Sequence, residues 1–305
     1  MSRIDIHAQR CNYAPMEWSD YKLVLTVARE KSIRGAARHL GVNHATVSRK
    51  LGQLNNGPAG PLLHRSPTGF WPTKVGQSVV EAAEKMEQVS DEAVRRQRAA
   101  EQSLSGPLSI SVPPLILQHL LIEDLARFGE QHPEIELTVD STDRFVDLDR
   151  AEADVVLRGS DSPPDHWVGR RLFPYSLSLY AHKDYLANVN ARDLRWIAPP
   201  DGDPRWQSWL EESPYPAASI SMRITTIAGR FMALKQGLGM GRAACFMADN
   251  DPDLVRLPGA PVIEVETLWL LCHPDFAGTS RAKAALAYFS NVMSKYRPLL
   301  QGERC

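Results

Sequence analysis

Between Lys31 and Val80 the chain has no aspartate and no glutamate. Over all 305 residues, 35 Lys and Arg stand against 36 Asp and Glu, a formal net charge of -1, so the acids are excluded locally and not globally. Lys31, Arg34, Arg38, Arg49, Lys50, Arg65 and Lys74 remain in the acid-free stretch, with His39, His44 and His64 between them. A compact segment of this kind suits a surface that rests against a polyphosphate. Other absences narrow the function. No apolar run approaches the roughly 20 residues of a membrane span, which argues against a membrane protein. Met1 to Pro15 is polar and lacks the apolar centre of a secretory signal. It reads as a disordered extension, with Met16 as an alternative start, and the protein reads as cytoplasmic. The four cysteines, Cys11, Cys245, Cys272 and Cys305, are scattered with no pair at metal spacing, so reduced thiols fit better than disulfides. No serine or cysteine lies in a nucleophile-elbow context. His166, His182 and His273 are isolated in sequence. Asp140, Asp143, Asp147 and Asp149 are spaced for a solvated loop and short helix, not for convergent metal ligation. The run Gly237-Leu238-Gly239-Met240-Gly241 lacks the context of a nucleotide motif and reads as a turn. No cofactor, no metal and no enzymatic activity are therefore expected, and no long repeat is visible.

Within the acid-free stretch the pattern is that of a helix-turn-helix. Trp18, Tyr21, Leu25 and Ala28 recur at helical spacing and predict the buried face of a first helix. Ser32 can cap a second helix through Ala36, Ala37 and Leu40, which Gly41 ends. Asn43 can cap a third, with Ala45, Val47, Leu51 and Leu54 inward or nearly so. His44, Thr46, Ser48, Arg49 and Lys50 are left on the other faces. Small polar and basic residues near the start of a short helix suit a major groove. Leu62 to Arg65 reads as a strand, Ser66-Pro67-Thr68-Gly69 as a turn, and Phe70-Trp71-Pro72 as the return. That hairpin would be a wing, with Arg65 placed to meet backbone phosphate. The expected DNA-contact set is Arg34, Asn43, His44, Thr46, Ser48, Arg49, Lys50, Arg65 and Thr68.

The run from Ser32 through Gly35-Ala36-Ala37-Arg38-His39-Leu40-Gly41-Val42 to Thr46-Val47-Ser48-Arg49 resembles the DNA-binding domain of LysR-type transcriptional regulators. So does Leu62-Leu63-His64-Arg65 followed by Pro72-Thr73-Lys74-Val75-Gly76. The resemblance extends more weakly from about Met16 to the C-terminal helix. Three positions depart from it. Leu54-Asn55 stands where the family usually has leucine-glutamate, Pro58-Ala59 where it has leucine-glycine, and Leu63 where a phenylalanine is common before the wing. Asn56-Gly57-Pro58 should stop the third helix early.

Thr73 can cap a long helix from Lys74 to about Ser103. Val75, Val79, Ala82, Met86, Val89, Ala93 and Ala100 fall on a heptad seam, which predicts packing against another helix, with intermolecular pairing the favoured form. The resemblance implies that this is the family's dimerising linker. Ser105-Gly106-Pro107 then breaks the helix. From Leu108 strands and helices alternate: Leu108 to Val112, a helix over Leu115 to Gln131, Ile135 to Val139, a short helix over Phe145 to Arg150, and Ala153 to Leu157. A second set follows from about Ser176 to Ala181, through Leu194 to Ala198 and Ile220 to Ile224, to a helix over Ile227 to Gln236. Thr267 to Cys272 could return to the first set before a final helix over about Ser280 to Tyr296. This βαβ pattern predicts an α/β fold with parallel sheet. The expected domains are a winged helix-turn-helix over 16–73, a linker helix over 74–104 and a regulatory domain over 105–305. The last would have lobe I at about 107–175 and 267–305, and lobe II at about 176–266. The resemblance implies an architecture similar to type 2 periplasmic binding proteins.

Ligands in such folds sit outside the carboxyl ends of strands. The candidates there are Pro113 and Pro114, Ser141 with Thr142, Arg158, Pro199 with Pro200, Thr225 and Thr226, and Arg242. The family often places a hydroxyl and helix amides after its first strand for an effector carboxylate, but the prolines remove amide donors there. Thr225 or Thr226 would cap a helix in any case. Arg158 reads first as an internal salt-bridge partner of Asp154 or Asp161, and only second as a ligand clamp. The expected protein binds double-stranded DNA and a small-molecule effector as a homodimer or homotetramer, the effector shifting the placement of the DNA-binding heads. Two other readings stand beside it: a cytoplasmic ligand-binding module without sequence-specific DNA binding, and a solute-binding protein with a fused N-terminal domain. The missing signal argues against the second, and the basic head against the first.

Overall fold

The computed structural model describes residues 16–100, 103–203 and 206–303. The N-terminal extension expected over Met1 to Pro15 lies outside them, as do Cys11 and Cys305. The chain divides into two compact units between Val94 and Arg95. Among the described residues no helix is long and apolar enough to cross a membrane.

The first unit holds α1 (Trp18–Glu30), α2 (Ile33–Leu40), α3 (His44–Asn55), the hairpin β1 (Leu63–Ser66) and β2 (Gly69–Pro72), and most of α4 (Lys74–Ala100). Local chemistry sets the joints. Ser32 Oγ accepts from Gly35 N, and Asn43 Oδ1 accepts from Ala45 N at 2.9 Å. Gly41, at φ 66°, takes the left-handed turn between α2 and α3, where a side chain would be strained. Thr73 Oγ1 accepts from Gly76 N at 3.0 Å and donates to Pro61 O at 2.7 Å, so one hydroxyl both caps α4 and ties it to the wing. Gly76 is the contact point: a Cβ there would overlap the carbonyl of Leu62. The core is Leu23 to Leu25, Val27, Ala36, Ala37, Val47, Leu51, Leu62, Leu63, Val80 and Ala83.

Two side chains expected in this core are outside it. Trp18 is exposed, because α1 turns its Leu23–Val27 segment inward and its first turn lies against α4, beside Met86 and Val89. Ala45 is exposed with His44 and Thr46, because in α3 only Val47 and Leu51 reach the core fully. α4 has two apolar faces. Gly76, Val80 and Ala83 are buried against their own unit. On the other face, Val75, Met86 and Val89 are 43%, 43% and 65% exposed.

The second unit carries β3 (Gly106–Val112), β4 (Ile135–Ser141), β5 (Val155–Gly159), β6 (Val168–His182), β7 (Arg195–Ala198), β8 (Ser219–Arg223), β9 (Met240–Ala244), β10 (Leu254–Arg256) and β11 (Ile263–Cys272). They form one nine-stranded sheet in the order β4-β3-β5-β11-β6-β9-β7-β8, with β10 on β6. β3 runs parallel to β4 and β5 in one half, and β7 runs parallel to β8 and β9 in the other. The long strands β6 and β11 pair antiparallel with each other and carry the chain between the halves. Their ladder is irregular on both sides of Thr267. Helices cover the sheet, including Ile122–Gln131, Ile227–Lys235 and Ser280–Lys295. A π-helical turn, Leu117–Leu121, interrupts the helix that follows β3.

Several local expectations give way here. Phe145 to Arg150 forms no helix; it is irregular and ends in a turn, held by Arg144 on Glu152 at 2.7 Å and by Asp149 N on Asp147 Oδ1 at 2.9 Å. The glycine run is only partly a turn. Gly237 takes the left-handed bend at φ 65°, and Met240–Ala244 is then a strand, because small residues let it lie tightly between β6 and β7. β6 begins eight residues before Ser176, through Gly169, two arginines and Pro174, because β11 supplies its ladder partner.

Candidate functional site

The exposed face of the first unit is built on α3 and the wing. His44, Thr46, Ser48 and Arg49 are exposed along the start of α3, and Arg34 is exposed on α2. Arg65 and Thr68 are exposed on the hairpin. Among the described residues, Arg34, Arg49 and Arg65 form no ion pair, so their charge is free to meet an anion. The other candidates have internal duties as well. Lys50 Nζ meets the buried carboxylate of Asp20 at 2.8 Å, an acid supplied by α1 from outside the acid-free stretch. Asn43 caps α3. Thr68 Oγ1 accepts from Trp71 Nε1 at 3.1 Å, which stiffens the wing.

Two supports of this face were not anticipated. Asn55, at the last turn of α3, accepts from Leu62 N and Leu63 N at 2.9 and 3.1 Å and donates to Leu63 O at 2.8 Å. It stitches α3 to the first wing strand, at the position where the sequence departs from the family it resembles. Lys31 Nζ lies 4.2 Å from the Trp71 ring centre, and Lys31 O accepts from Phe70 N at 3.1 Å. Gly69 is required at that contact, since at φ 117° its backbone meets Lys31.

In the second unit a cavity of about 220 Å³ lies where the two halves of the sheet meet. Leu115, Ile116, Leu177, Ile227, Phe246 and Leu268 give it apolar walls, and Thr142, Asp143, Arg158 and Glu266 bring polar groups. Of the sequence candidates, the structure brings Pro113, Thr142 and Arg158 to its lining. Pro114, Ser141, Pro199, Thr225, Thr226 and Arg242 do not line it. Ser141 is exposed at the end of β4, and Pro199 is buried, its carbonyl accepting from Arg223 at 2.9 Å. Thr226 Oγ1 caps the helix Ile227–Lys235 by accepting from Gly229 N at 3.1 Å. The carbonyl of Thr225 accepts from buried Arg230 at 3.0 Å. Arg242 meets Asp203 at 3.2 Å. Asp143, Glu266 and Phe246 were not foreseen in the cleft. Phe246 and Glu266 lie 88 or more residues from Arg158 in sequence, and no local pattern marks them.

Arg158 is the distinctive group. It donates to Ser111 Oγ at 2.8 Å and to Leu157 O at 3.0 Å. It makes no salt bridge with Asp154 or Asp161. Asp154 instead pairs with Arg98 at 3.0 Å and accepts from Ser109 N at 2.7 Å. The Nε of Arg158 is buried with no hydrogen-bond partner among the described residues. Burial lowers the guanidinium's affinity for its proton, against the opposing charges of Asp140 and Asp143. A cation so placed is costly unless something pairs with it.

The family model "Bacterial regulatory helix-turn-helix protein, lysR family" matches residues 18–77, and "LysR substrate binding domain" matches residues 101–294. The chain belongs to the LysR family of transcriptional regulators. It is a DNA-binding regulator with an effector-binding domain. This regulator is 24% identical over 292 residues to the "Probable HTH-type transcriptional regulator LtrA" of Klebsiella pneumoniae, covering 90% of this chain and 94% of that one. It is 29% identical over 293 residues to the "Mau operon transcriptional activator" of Paracoccus denitrificans, covering 92% and 98%. Its fold is similar to that of the full-length Vibrio cholerae virulence activator AphB, at 16% identity and a TM-score of 0.57, covering 92% of this chain and 99% of AphB.

Proposed function

We propose that this LysR-type regulator reads promoter DNA as a homodimer, assembling further to a homotetramer, and is switched by a small organic anion held at Arg158. The observation that carries the effector class is Arg158 itself: a cation at a mostly apolar cavity, with no salt bridge among the described residues and with a buried Nε that has no hydrogen-bond partner among them. A carboxylate would take bidentate hydrogen bonds from that guanidinium. The walls Leu115, Ile116, Leu177 and Phe246 would cover an apolar body, and Asp143 and Glu266 would accept from a hydroxyl or amine. Because β6 and β11 alone carry the chain between the halves at this point, a ligand touching both halves favours one arrangement of the lobes.

On DNA, His44, Thr46, Ser48 and Arg49 would meet base edges, while Arg34 and Arg65 would meet phosphates. Asn43, Lys50 and Thr68 would support them through the cap, the Asp20 pair and the wing tip. The free apolar face of α4 supports pairing: Met86, Val89 and Ala93, with Trp18 of α1, line an open apolar groove that a second copy would cover. The domains would be a head over 16–73, a linker over 74–104 and a regulatory domain over 105–305. The regulator would work in the cytoplasm, without catalysis of its own.

The test is calorimetric titration of the full-length protein with small aliphatic and aromatic carboxylates and their neutral amides. Carboxylates should bind in preference, and Arg158→Gln should weaken them about 10- to 100-fold, the worth of a charge-assisted hydrogen bond. Equal binding of acid and amide, or an unchanged affinity in Arg158→Gln, refutes the assignment.

A further inference from the structure

Asp149, His166 and His273 arrive from three separate places in the second unit. Asp149 lies in the turn before β5, His166 in the loop before β6, and His273 caps the helix Pro274–Ala277. One donor atom from each lies within 4.8 Å of the other two. His166 Nε2 is 2.8 Å from Asp149 Oδ1, and His273 Nε2 is 3.5 Å from the same oxygen. We propose that these three side chains form a site for a divalent transition-metal ion of the zinc class, bound through two imidazoles and one carboxylate, with a remaining position open to water or an anion.

The spacing suits such an ion. Metal-ligand bonds of about 2.0–2.2 Å place tetrahedral ligands roughly 3.3–3.6 Å apart; the His273 pair at 3.5 Å matches this, and the exposed His166 ring has to move out from its 2.8 Å hydrogen bond to admit the ion. The donors are nitrogen and oxygen together. Calcium and magnesium take oxygen sets, while imidazole with carboxylate suits zinc, nickel or iron.

The surroundings also fit. Ligating histidines commonly turn their second nitrogen to a carboxylate. His273 Nδ1 lies 3.3 Å from Asp275 Oδ2 and accepts from Asp275 N at 3.2 Å. Moving its proton to Nδ1 exchanges the amide for the carboxylate and frees the Nε2 lone pair. Trp167 Nε1 donates to Asp149 Oδ1 at 3.0 Å and fixes that carboxylate.

The test uses the full-length protein, stripped with a chelator and titrated with Co²⁺, whose visible d–d bands report nitrogen and oxygen ligation. One equivalent per chain should bind, without a thiolate charge-transfer band, and Zn²⁺ should displace it. His166→Ala and Asp149→Asn should each weaken binding by at least about tenfold. His166 is largely exposed, so its variant keeps the fold even if the helix-capping His273→Ala does not. Absence of stoichiometric Co²⁺ binding, or full binding in His166→Ala, would leave a hydrogen-bonded cluster only and overturn the proposal.

Discussion

Asn55→Ala tests the internal logic of the DNA-binding head. The side chain closes three hydrogen bonds at 2.8–3.1 Å onto Leu62 and Leu63, both buried, and so joins α3 to the wing. Each such bond contributes about 0.5–1.5 kcal/mol net, and a buried amide left without a partner costs more. Asn55 is half-buried, so water recovers part of the loss. About 2–3 kcal/mol of local stability should disappear. At 1.4 kcal/mol per factor of ten, the amides of Leu62 and Leu63 should exchange about 30- to 150-fold faster. Hydrogen exchange of the full-length protein, followed in peptides spanning 61–72, measures this directly. Asn55→Asp should be no milder, because one carboxylate oxygen still accepts from both amides but the other sits against Leu63 O where the amide donated at 2.8 Å. That variant should also weaken DNA binding, since it places an acid in the acid-free stretch. If Asn55→Ala accelerates exchange of these amides by less than about threefold, the stitch is decorative and the wing is held by its hydrophobic seat alone.

Two further outcomes follow from the same surfaces. Thr46→Ala should reduce discrimination between operator and scrambled duplex by about 1–3 kcal/mol, whereas Arg65→Ala should weaken both about equally and flatten the salt slope by about one unit; titrations at several salt concentrations separate these, and identical behaviour of the two variants would contradict the division between reading helix and positioning wing. Met86→Lys should shift sedimentation toward the monomer, because it puts a charge on the exposed apolar face of α4; an unchanged oligomer would mean that other contacts hold the copies together.

How far the fold could be read from the sequence depended on whether the signal was local. Ser32, Gly41, Asn43 and Thr73 mark their caps and turns unaided, because each acts on backbone within three residues of itself. Trp18 and Ala45 misled, since helical spacing shows that a face is apolar but not which neighbour covers it. β9 was hidden because Met240-Gly241-Arg242-Ala243-Ala244 has no β-branched residue. It is a strand because β6 and β7 flank it, and Gly241 leaves the room there: a Cβ would meet the Ile197 carbonyl at 3.2 Å and Leu234 at 3.3 Å. The first half of β6 was hidden for a similar reason: its partner, β11, lies about 100 residues later in the chain.

By itself the sequence determined the character of the DNA-binding head, the amphipathy of α4 and the alternation that makes an α/β regulatory domain. These follow from composition and short-range periodicity, which act before any distant contact forms. Tertiary structure decided the rest. It left Arg158 without a salt bridge by giving Asp154 to Arg98, and it withdrew Lys50 from the basic surface by pairing it with Asp20. It also gathered Asp149, His166 and His273 from segments up to 124 residues apart. Which charges end up paired is set by how strands and loops pack, and only the folded chain fixes those distances.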